Sequence, residues 1–107
     1  MDINSVNVTG RLTADPQLRY TNDHTAAASF RLAIGGRNDR TDFVGVTAWG
    51  KPAEAVAEHK SKGDQIAVTG RITSSDWTDD RGQRHYRTGI TAELVVFLAR
   101  VKQPAAS

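Results

Sequence analysis

The stretch that decides the fold runs from Gly63 to Ile90, GDQIAVTGRITSSDWTDDRGQRHYRTGI. It opens on a glycine suited to ending a helix, continues as a long alternating run, and turns back within TDDRG at residues 78–82. Side chains alternate across a strand, so this run has two faces. The apolar face consists of Ile66, Val68, Gly70 and Ile72. The polar face consists of Ala67, Thr69, Arg71, Thr73, Ser75 and Trp77. The stretch predicts a long hairpin whose basic face ends in a tryptophan.

The rest of the chain supplies the other elements of the fold. Alternation predicts strands at residues 3–12, 25–34, 42–50 and 86–98, with a short return strand at residues 18–20. The last strand is expected to place Tyr86, Thr88, Ile90, Ala92, Leu94, Val96 and Leu98 on one face. A helix is predicted over residues 51–62, with Pro52 in its first turn and an inward face of Ala53, Val56, Ala57 and Lys60.

Five long strands with one helix between the third and fourth predict an all-β, five-stranded Greek-key barrel, the OB-fold. An SH3-like barrel has a similar number of strands, and the position of the helix favours the OB-fold. Residues 1–101 are predicted to form this single domain, and residues 102–107 a short polar tail.

Length and composition indicate one soluble domain. The chain has 107 residues, of which 38% are hydrophobic and 24% charged, as in folded globular proteins. No apolar run reaches the roughly 20 residues of a membrane span, and Met1-Asp2 opens no signal-peptide pattern, so we expect a cytoplasmic location. The chain has no cysteines, which excludes disulfides, thiolate nucleophiles and cysteine-based zinc sites.

The aromatic residues suggest a binding surface. Phe43 and Trp49 share one face of the third strand, opposite small aliphatic side chains, although pattern alone also allows these two rings to lie in the core. Trp77 lies on the face of Arg71. The rings expected to fill the core instead are Phe30, Phe97 and Tyr86. Exposed rings among arginines suit single-stranded nucleic acid, because every base has a face that can stack.

The basic and titratable residues support binding rather than catalysis. Ten of the 14 basic residues are arginines, whose flat, forked guanidinium suits phosphates, although a net charge of +2 also fits an ordinary solvated surface. His24, His59 and His85 have no metal-site spacing, and Asp79-Asp80 is typical of a turn. We therefore predict no enzyme, no metal and no cofactor.

Short motifs along nearly the whole chain resemble the bacterial and phage-type single-stranded DNA-binding proteins. These motifs are Val8-Thr9-Gly10-Arg11-Leu12, Asp15-Pro16, Leu18-Arg19-Tyr20, Phe30, Leu32-Ala33, Trp49-Gly50-Lys51, Ala53-Glu54, Lys62-Gly63-Asp64, Val68-Thr69-Gly70-Arg71-Ile72, Trp77-Thr78-Asp79 and Gly82-Gln83. Each motif is weak alone, and their order and spacing make the set specific.

The resemblance implies an OB-fold oligomer, usually a homotetramer with a dimer as the alternative, that wraps single-stranded DNA. By position, Trp77, Trp49 and Phe43 match the family's stacking aromatics, and Arg71, Arg19, Lys51 and Lys62 match its basic positions. Arg11, Arg37 and Arg84 complete the predicted DNA-binding set. Three departures stand out: the loop over residues 35–41 is shorter than usual and lacks an aromatic, Ser75 and Asp76 before Trp77 are expected to weaken phosphate contact, and the family's acidic tail, which recruits other proteins, is not found within these 107 residues.

The resulting prediction is sequence-tolerant single-stranded DNA binding in replication, repair or recombination. Replication or repair proteins are secondary partners for which no acidic tail is available, and no membrane is involved. The alternative is an OB-fold interaction subunit of a primosome-type complex in which DNA binding is secondary.

Overall fold

The structure is a computed structural model that describes residues 2–98, apart from the side chain of Arg37. The predicted domain boundary at residue 101 and the tail at residues 102–107 lie outside these residues. The strands are β1 (Val6–Leu12), β2 (Gln17–Tyr20), β3 (Ala26–Gly35), β4 (Thr41–Trp49), β5 (Gln65–Thr78) and β6 (Arg84–Phe97). A 3-10 turn at Arg37–Asp39 joins β3 to β4, and the helix α1 (Lys51–His59) lies between β4 and β5.

The strands form one sheet that closes on itself. Their order is β1-β5-β6-β4-β3-β2, and β1 also pairs with β3, so five strands complete a ring that β2 extends from β3. All pairs are antiparallel except β4 with β6. Of the chain that is described, no helix is both long and apolar enough to cross a lipid bilayer.

The core occupies the inside of this ring and is covered at one end by α1. Leu32, Ile66, Val68 and Val46 are fully or almost fully buried, and Ala53 and Val56 of α1 pack against the same cluster. The helix ends earlier than predicted, at His59, because Lys60 is already extended and its N–H closes the last turn on the carbonyl of Val56 at 2.9 Å. The alkyl stem of Lys60 leads its ammonium over the Phe97 ring instead.

The predicted strand at residues 3–12 begins only at Val6, yet the pairing extends further through a side chain. Asn4 accepts from the N–H of Ile72 through Oδ1 and donates to its carbonyl through Nδ2, each at 2.8 Å. The amide of Asn4 therefore takes the place of a backbone pair beyond the end of β1.

The predicted core face of the last strand was wrong beyond Ala92, because β6 contains a β-bulge. Thr69 lies opposite Leu94 while Gly70 lies opposite Ala92, so Glu93 is an extra residue between them. The alternation changes phase there: Ile90 and Ala92 face the core, whereas Leu94 and Val96 are exposed, and Val95 packs inward in their place. Gly70 permits the close approach, because a Cβ at this position would lie 2.0 Å from the carbonyl oxygen of Thr91.

The β5–β6 hairpin continues beyond the ring as a two-stranded arm, here called the hairpin arm (residues 72–89). The last residue of β5 paired with β1 is Gly70, and the pairing of β6 with β4 starts at Ile90. Beyond these points the two strands pair only with each other. Ile72, predicted to be core, is 50% exposed for this reason.

Only one of the three rings expected in the core is buried. Phe30 packs in the core, whereas Tyr86 on the hairpin arm is 70% exposed and Phe97 lies exposed at the end of β6 near His59 and Lys60. The prediction was wrong for Tyr86 and Phe97, because the core is filled mainly by aliphatic side chains.

Candidate nucleic-acid interface

A groove of about 720 Å³ crosses the outer face of the sheet. Its floor is formed by outward-facing residues of β3, β4, β5 and β6, and the β1–β2 loop forms one wall. Phe43 and Trp49 of β4 both line it, and their exposed fractions are 54% and 46%. Val46 and Ala48 of the same strand are buried, which confirms that the aliphatic side chains of β4 face inward and its two rings face outward.

Strand register places basic side chains on the same face as Phe43. Across β3 and β1, Phe43 lies opposite Ala33, which lies opposite Arg11. Arg31 lies two residues before Ala33, and its guanidinium carbon is 4.9 Å from the centre of the Phe43 ring, in cation–π range. Arg11 donates through Nη1 to the carbonyl of Gly63 at 3.3 Å. Arg31 therefore contacts this ring, and Arg11 lies two strands away on the same face.

Trp49 has a similar arrangement at the other end of β4. It lies opposite Ala27 of β3, which lies opposite Arg19 of β2, so these side chains share one face. Lys51 is the exposed first residue of α1 and follows Trp49 after a single glycine. Gly50 adopts a φ of 70°, which a side chain would disfavour and which turns the chain sharply from strand into helix.

Trp77 extends this face along the hairpin arm. Because β4 and β6 are parallel and Val46 lies opposite Ile90, the direction from Trp49 to Phe43 leads toward the tip of the arm. Trp77 is 45% exposed, and two residues of β6 contact its ring. The guanidinium carbon of Arg87 lies 5.6 Å from the ring centre, and His85 stacks on the ring with centroids 5.4 Å apart and planes 21° apart.

Three other predicted basic residues lie on the groove face, in a loop and in the 3-10 turn. Arg71 lies on the groove face, level with Thr91 of β6 and Thr47 of β4. Lys62 is exposed in the loop after α1, where its N–H donates to Oδ1 of Asp15 at 2.8 Å. Arg37 belongs to the 3-10 turn, and its side chain lies outside the described part of the structure.

Among the predicted basic residues, Arg84 lies on the face of the arm opposite to that of Trp77. It donates through Nε and Nη2 to Oδ2 of Asp76, at 3.0 and 2.5 Å, and its guanidinium lies over Tyr86. Asp76 lies opposite Tyr86, on the reverse face of the arm from Trp77. Asp76 is thus paired with Arg84 and directed away from the groove, an arrangement that gives no support to the expectation that it weakens phosphate contact beside Trp77.

Three residues outside the predicted DNA-binding set contact the exposed rings. Arg31, Arg87 and His85 all contact the exposed rings, whereas the sequence indicated only general surface positions. The signal that could have found Arg87 and His85 is the hairpin register: a five-residue turn at residues 79–83 places Trp77 opposite His85 and Ser75 opposite Arg87.

The charges on this face are open to a ligand. In residues 2–98, none of Arg31, Arg71 and Arg87 forms an ion pair with a carboxylate. Over the same residues, no three histidine, aspartate or glutamate side chains come together as metal ligands. The arrangement offers flat rings and guanidinium groups on one face of the sheet, with Phe43, Trp49, Arg31 and Arg87 lining the groove itself.

Comparison with known proteins identifies the family. The model of the single-strand binding protein family matches residues 3–98. The chain is 42% identical over 103 residues to the single-stranded DNA-binding protein of Caldanaerobacter subterraneus subsp. tengcongensis, covering 90% of this chain and 68% of that protein.

Two further relatives are longer than the matched part. A single-stranded DNA-binding protein of Enterococcus faecalis is 43% identical over 98 residues, and one of Thermus thermophilus is 43% identical over 94 residues. The match covers 85% and 84% of this chain but only 52% and 35% of those two proteins. With the family model spanning the whole described ring of strands, the predicted family and its OB-fold are confirmed: the chain belongs to the single-strand binding protein family.

Proposed function

We propose that the chain binds single-stranded DNA along the groove face, with bases stacked on Phe43, Trp49 and Trp77. The observation that carries this proposal is the presence of three rings, each about half exposed, on one face of the sheet beside arginines that form no ion pair in the described residues. Stacking of this kind, for which single-strand binding proteins are the type example, contributes about 1–3 kcal/mol per base.

The phosphates are held by the basic residues that surround these rings. The groups proposed for this role are Arg11, Arg19, Arg31, Arg37, Lys51, Lys62, Arg71 and Arg87; Arg84 is left out of the proposal because it pairs with Asp76 on the reverse face of the arm. A guanidinium can bind phosphate oxygens and also lie flat on a base, so it fits a strand that presents both. Stacking and charge contacts are common to all bases, which makes the binding tolerant of sequence.

The biological role follows from stoichiometric coating of exposed strands during replication, repair or recombination. Because the chain belongs to a family of DNA-binding proteins, it is proposed to act by binding and not as an enzyme. The cytoplasm, where chromosomal and phage DNA are copied, is the proposed location.

The protein is proposed to act as a homo-oligomer, a tetramer by analogy with its family. Along the outer edge of β1, the strand partners of Val6–Gly10 within residues 2–98 all belong to β5, since β3 joins β1 at Arg11 and Leu12. Leu94 and Val96 are exposed on β6, which is separated from β1 by β5. An open strand edge and exposed apolar side chains are both suited to pairing with a second copy.

Titration with poly(dT) while tryptophan emission is followed tests the DNA-binding site. Wild-type emission should be quenched, because Trp49 and Trp77 are the only tryptophans in the chain and both are assigned to base stacking. Trp77→Ala should weaken binding by about 5- to 100-fold, the equivalent of one lost stack. Tyr86→Ala is the matched control, because this ring is exposed on the reverse face of the arm.

Three results would count against this assignment. They are emission that poly(dT) leaves unchanged, an affinity that Trp77→Ala leaves intact, and a loss on Tyr86→Ala as large as that on Trp77→Ala. Light scattering of the free protein gives the mass of the assembly and tests the oligomer separately.

A further inference from the structure

The tip of the hairpin arm is organised around the carboxylate of Asp79. Its Oδ1 accepts the N–H groups of Arg81 and Gln83, both at 2.9 Å, and the Asp79 N–H donates to the Gln83 carbonyl at 2.9 Å. Its other oxygen, Oδ2, lies 2.7 Å from Nε2 of His85. One carboxylate therefore fixes both the turn and the histidine near the start of β6.

His85 passes this constraint on to Trp77. The two residues are directly opposite across the hairpin, and the rings stack at 5.4 Å with an angle of 21°. This offset, nearly parallel arrangement is a favoured one for flat rings. Since residues 72–78 lie beyond the ring of strands and are exposed or only half-buried, His85 and Arg87 are the side chains with ring contacts to Trp77 in the described structure.

We propose that His85 is a positioning residue for DNA binding: anchored by Asp79, it backs one face of Trp77 and holds that ring ready to receive a base. The inference rests on the proposed stacking role of Trp77. Holding the Trp77 ring in place before DNA arrives lowers the entropic cost of immobilising this side chain on binding. A base that stacks on Trp77 then extends the stack that Trp77 and His85 already form.

A direct phosphate contact is a poorer role for His85. When the imidazole is protonated, its charge faces the carboxylate of Asp79 at 2.7 Å, so the pair carries no net charge toward a phosphate. The free positive charge next to Trp77 belongs to Arg87, whose guanidinium lies over the same ring. His85 is thus suited to act through Trp77, and Arg87 to contact DNA itself.

The first test uses Trp49→Phe protein, so that all tryptophan emission comes from Trp77. In this background His85→Ala should weaken poly(dT) binding by about 3- to 10-fold, the effect of freeing one immobilised side chain. It should also increase quenching of Trp77 by acrylamide in the absence of DNA. His85→Phe, which keeps a flat ring at the position, should restore both values to within about twofold of the parent. His59→Ala, an exposed histidine on α1, is the control.

The second test is a double-mutant cycle that separates the positioning role from the role of Trp77. Once Trp77 is replaced by alanine, His85→Ala should cause no further loss of affinity, because its effect runs through that ring. Equal losses from His85→Ala with and without Trp77 would overturn the positioning role in favour of direct contact with DNA. Unchanged acrylamide quenching and affinity on His85→Ala would overturn it too. Failure of Trp77→Ala itself to weaken binding would instead remove the stacking role on which it rests.

Discussion

Of two arginine replacements, one should change the salt dependence of DNA binding and the other should leave it unchanged. Arg31→Gln removes an unpaired charge from the groove face, whereas Arg84→Gln removes a charge that Asp76 already neutralises on the reverse face of the arm. Affinity for single strands falls with salt because each neutralised phosphate releases counterions, with a slope in log–log form of about −0.7 per phosphate. The slope therefore reports how many phosphates each protein variant neutralises.

The expected magnitude follows from this relation. Arg31→Gln should make the slope less negative by about 0.7 per binding site, so that raising salt from about 50 to about 200 mM weakens the variant roughly 2.6-fold less than the wild type. Removal of the guanidinium from the Phe43 ring also lowers the affinity at every salt concentration. The slope separates the two effects, because cation–π contact within the protein releases no counterion.

The assay is a poly(dT) titration at four or more salt concentrations, followed by tryptophan emission. Arg84→Gln leaves Asp76 unpaired, so a double replacement that adds Asp76→Asn keeps the net charge of the arm and completes the control. Both control proteins should keep the wild-type slope. The reasoning is refuted if Arg84→Gln with Asp76→Asn changes the slope as much as Arg31→Gln does, or if Arg31→Gln leaves it unchanged.

Three further predictions concern stability. Gly70→Ala should lower the free energy of unfolding in urea by about 3 kcal/mol or prevent folding, because the added Cβ would lie 2.0 Å from a backbone oxygen. Gly45→Ala, which has open space around its Cβ, should change this free energy by less than about 1 kcal/mol. Similar values for the two variants would contradict the prediction. Val56→Ala should cost about 1.5–3 kcal/mol, because the valine is fully buried, and a smaller loss in the same urea assay would mean that α1 does not seal the core. The hydrogen bond from His85, followed in strength by those from the turn N–H groups, lowers the pKa of the Asp79 carboxyl below its usual 3.8. The stability that these bonds add is therefore complete above pH 3.8 and is lost as the pH falls through the lower pKa of the folded state. The difference in Tm between wild type and Asp79→Asn should therefore shrink below pH 3.8, and a difference that grows on acidification would exclude the contact.

The parts of the fold that alternate cleanly could be predicted from the sequence. In β4 and β5 one face is buried by the ring and the other is outside, so the period of two in the side chains records the two environments directly. The outward position of Trp77 follows from the same alternation, whereas for Phe43 and Trp49 alternation allowed either face and their exposure in the structure decides it. The family resemblance added that these rings share a role in DNA binding, which alternation along a strand cannot indicate.

The features that escaped prediction depend on contacts between distant residues. The bulge at Glu93 shifts the phase of β6 because β5 and β6 meet closely at Gly70, and a single strand shows no sign of this. The pairing of Asp76 with Arg84 depends on which face of the arm each residue occupies, and therefore on the register across the turn. In the same way, His85 resembles any surface histidine until the register brings it against Trp77.

The length of the hairpin arm also affects how the groove can adapt to its ligand. Ser74 to Thr78 have one neighbouring strand and no buried side chain, so the arm should open locally at far lower free energy than Ile66 and Val68 at its base. The tip can consequently twist relative to the groove floor that holds Phe43 and Trp49, and the spacing between stacking sites adjusts to the path of the DNA strand. Amide hydrogen exchange should be fast in the arm of the free protein and slow once DNA fills the groove.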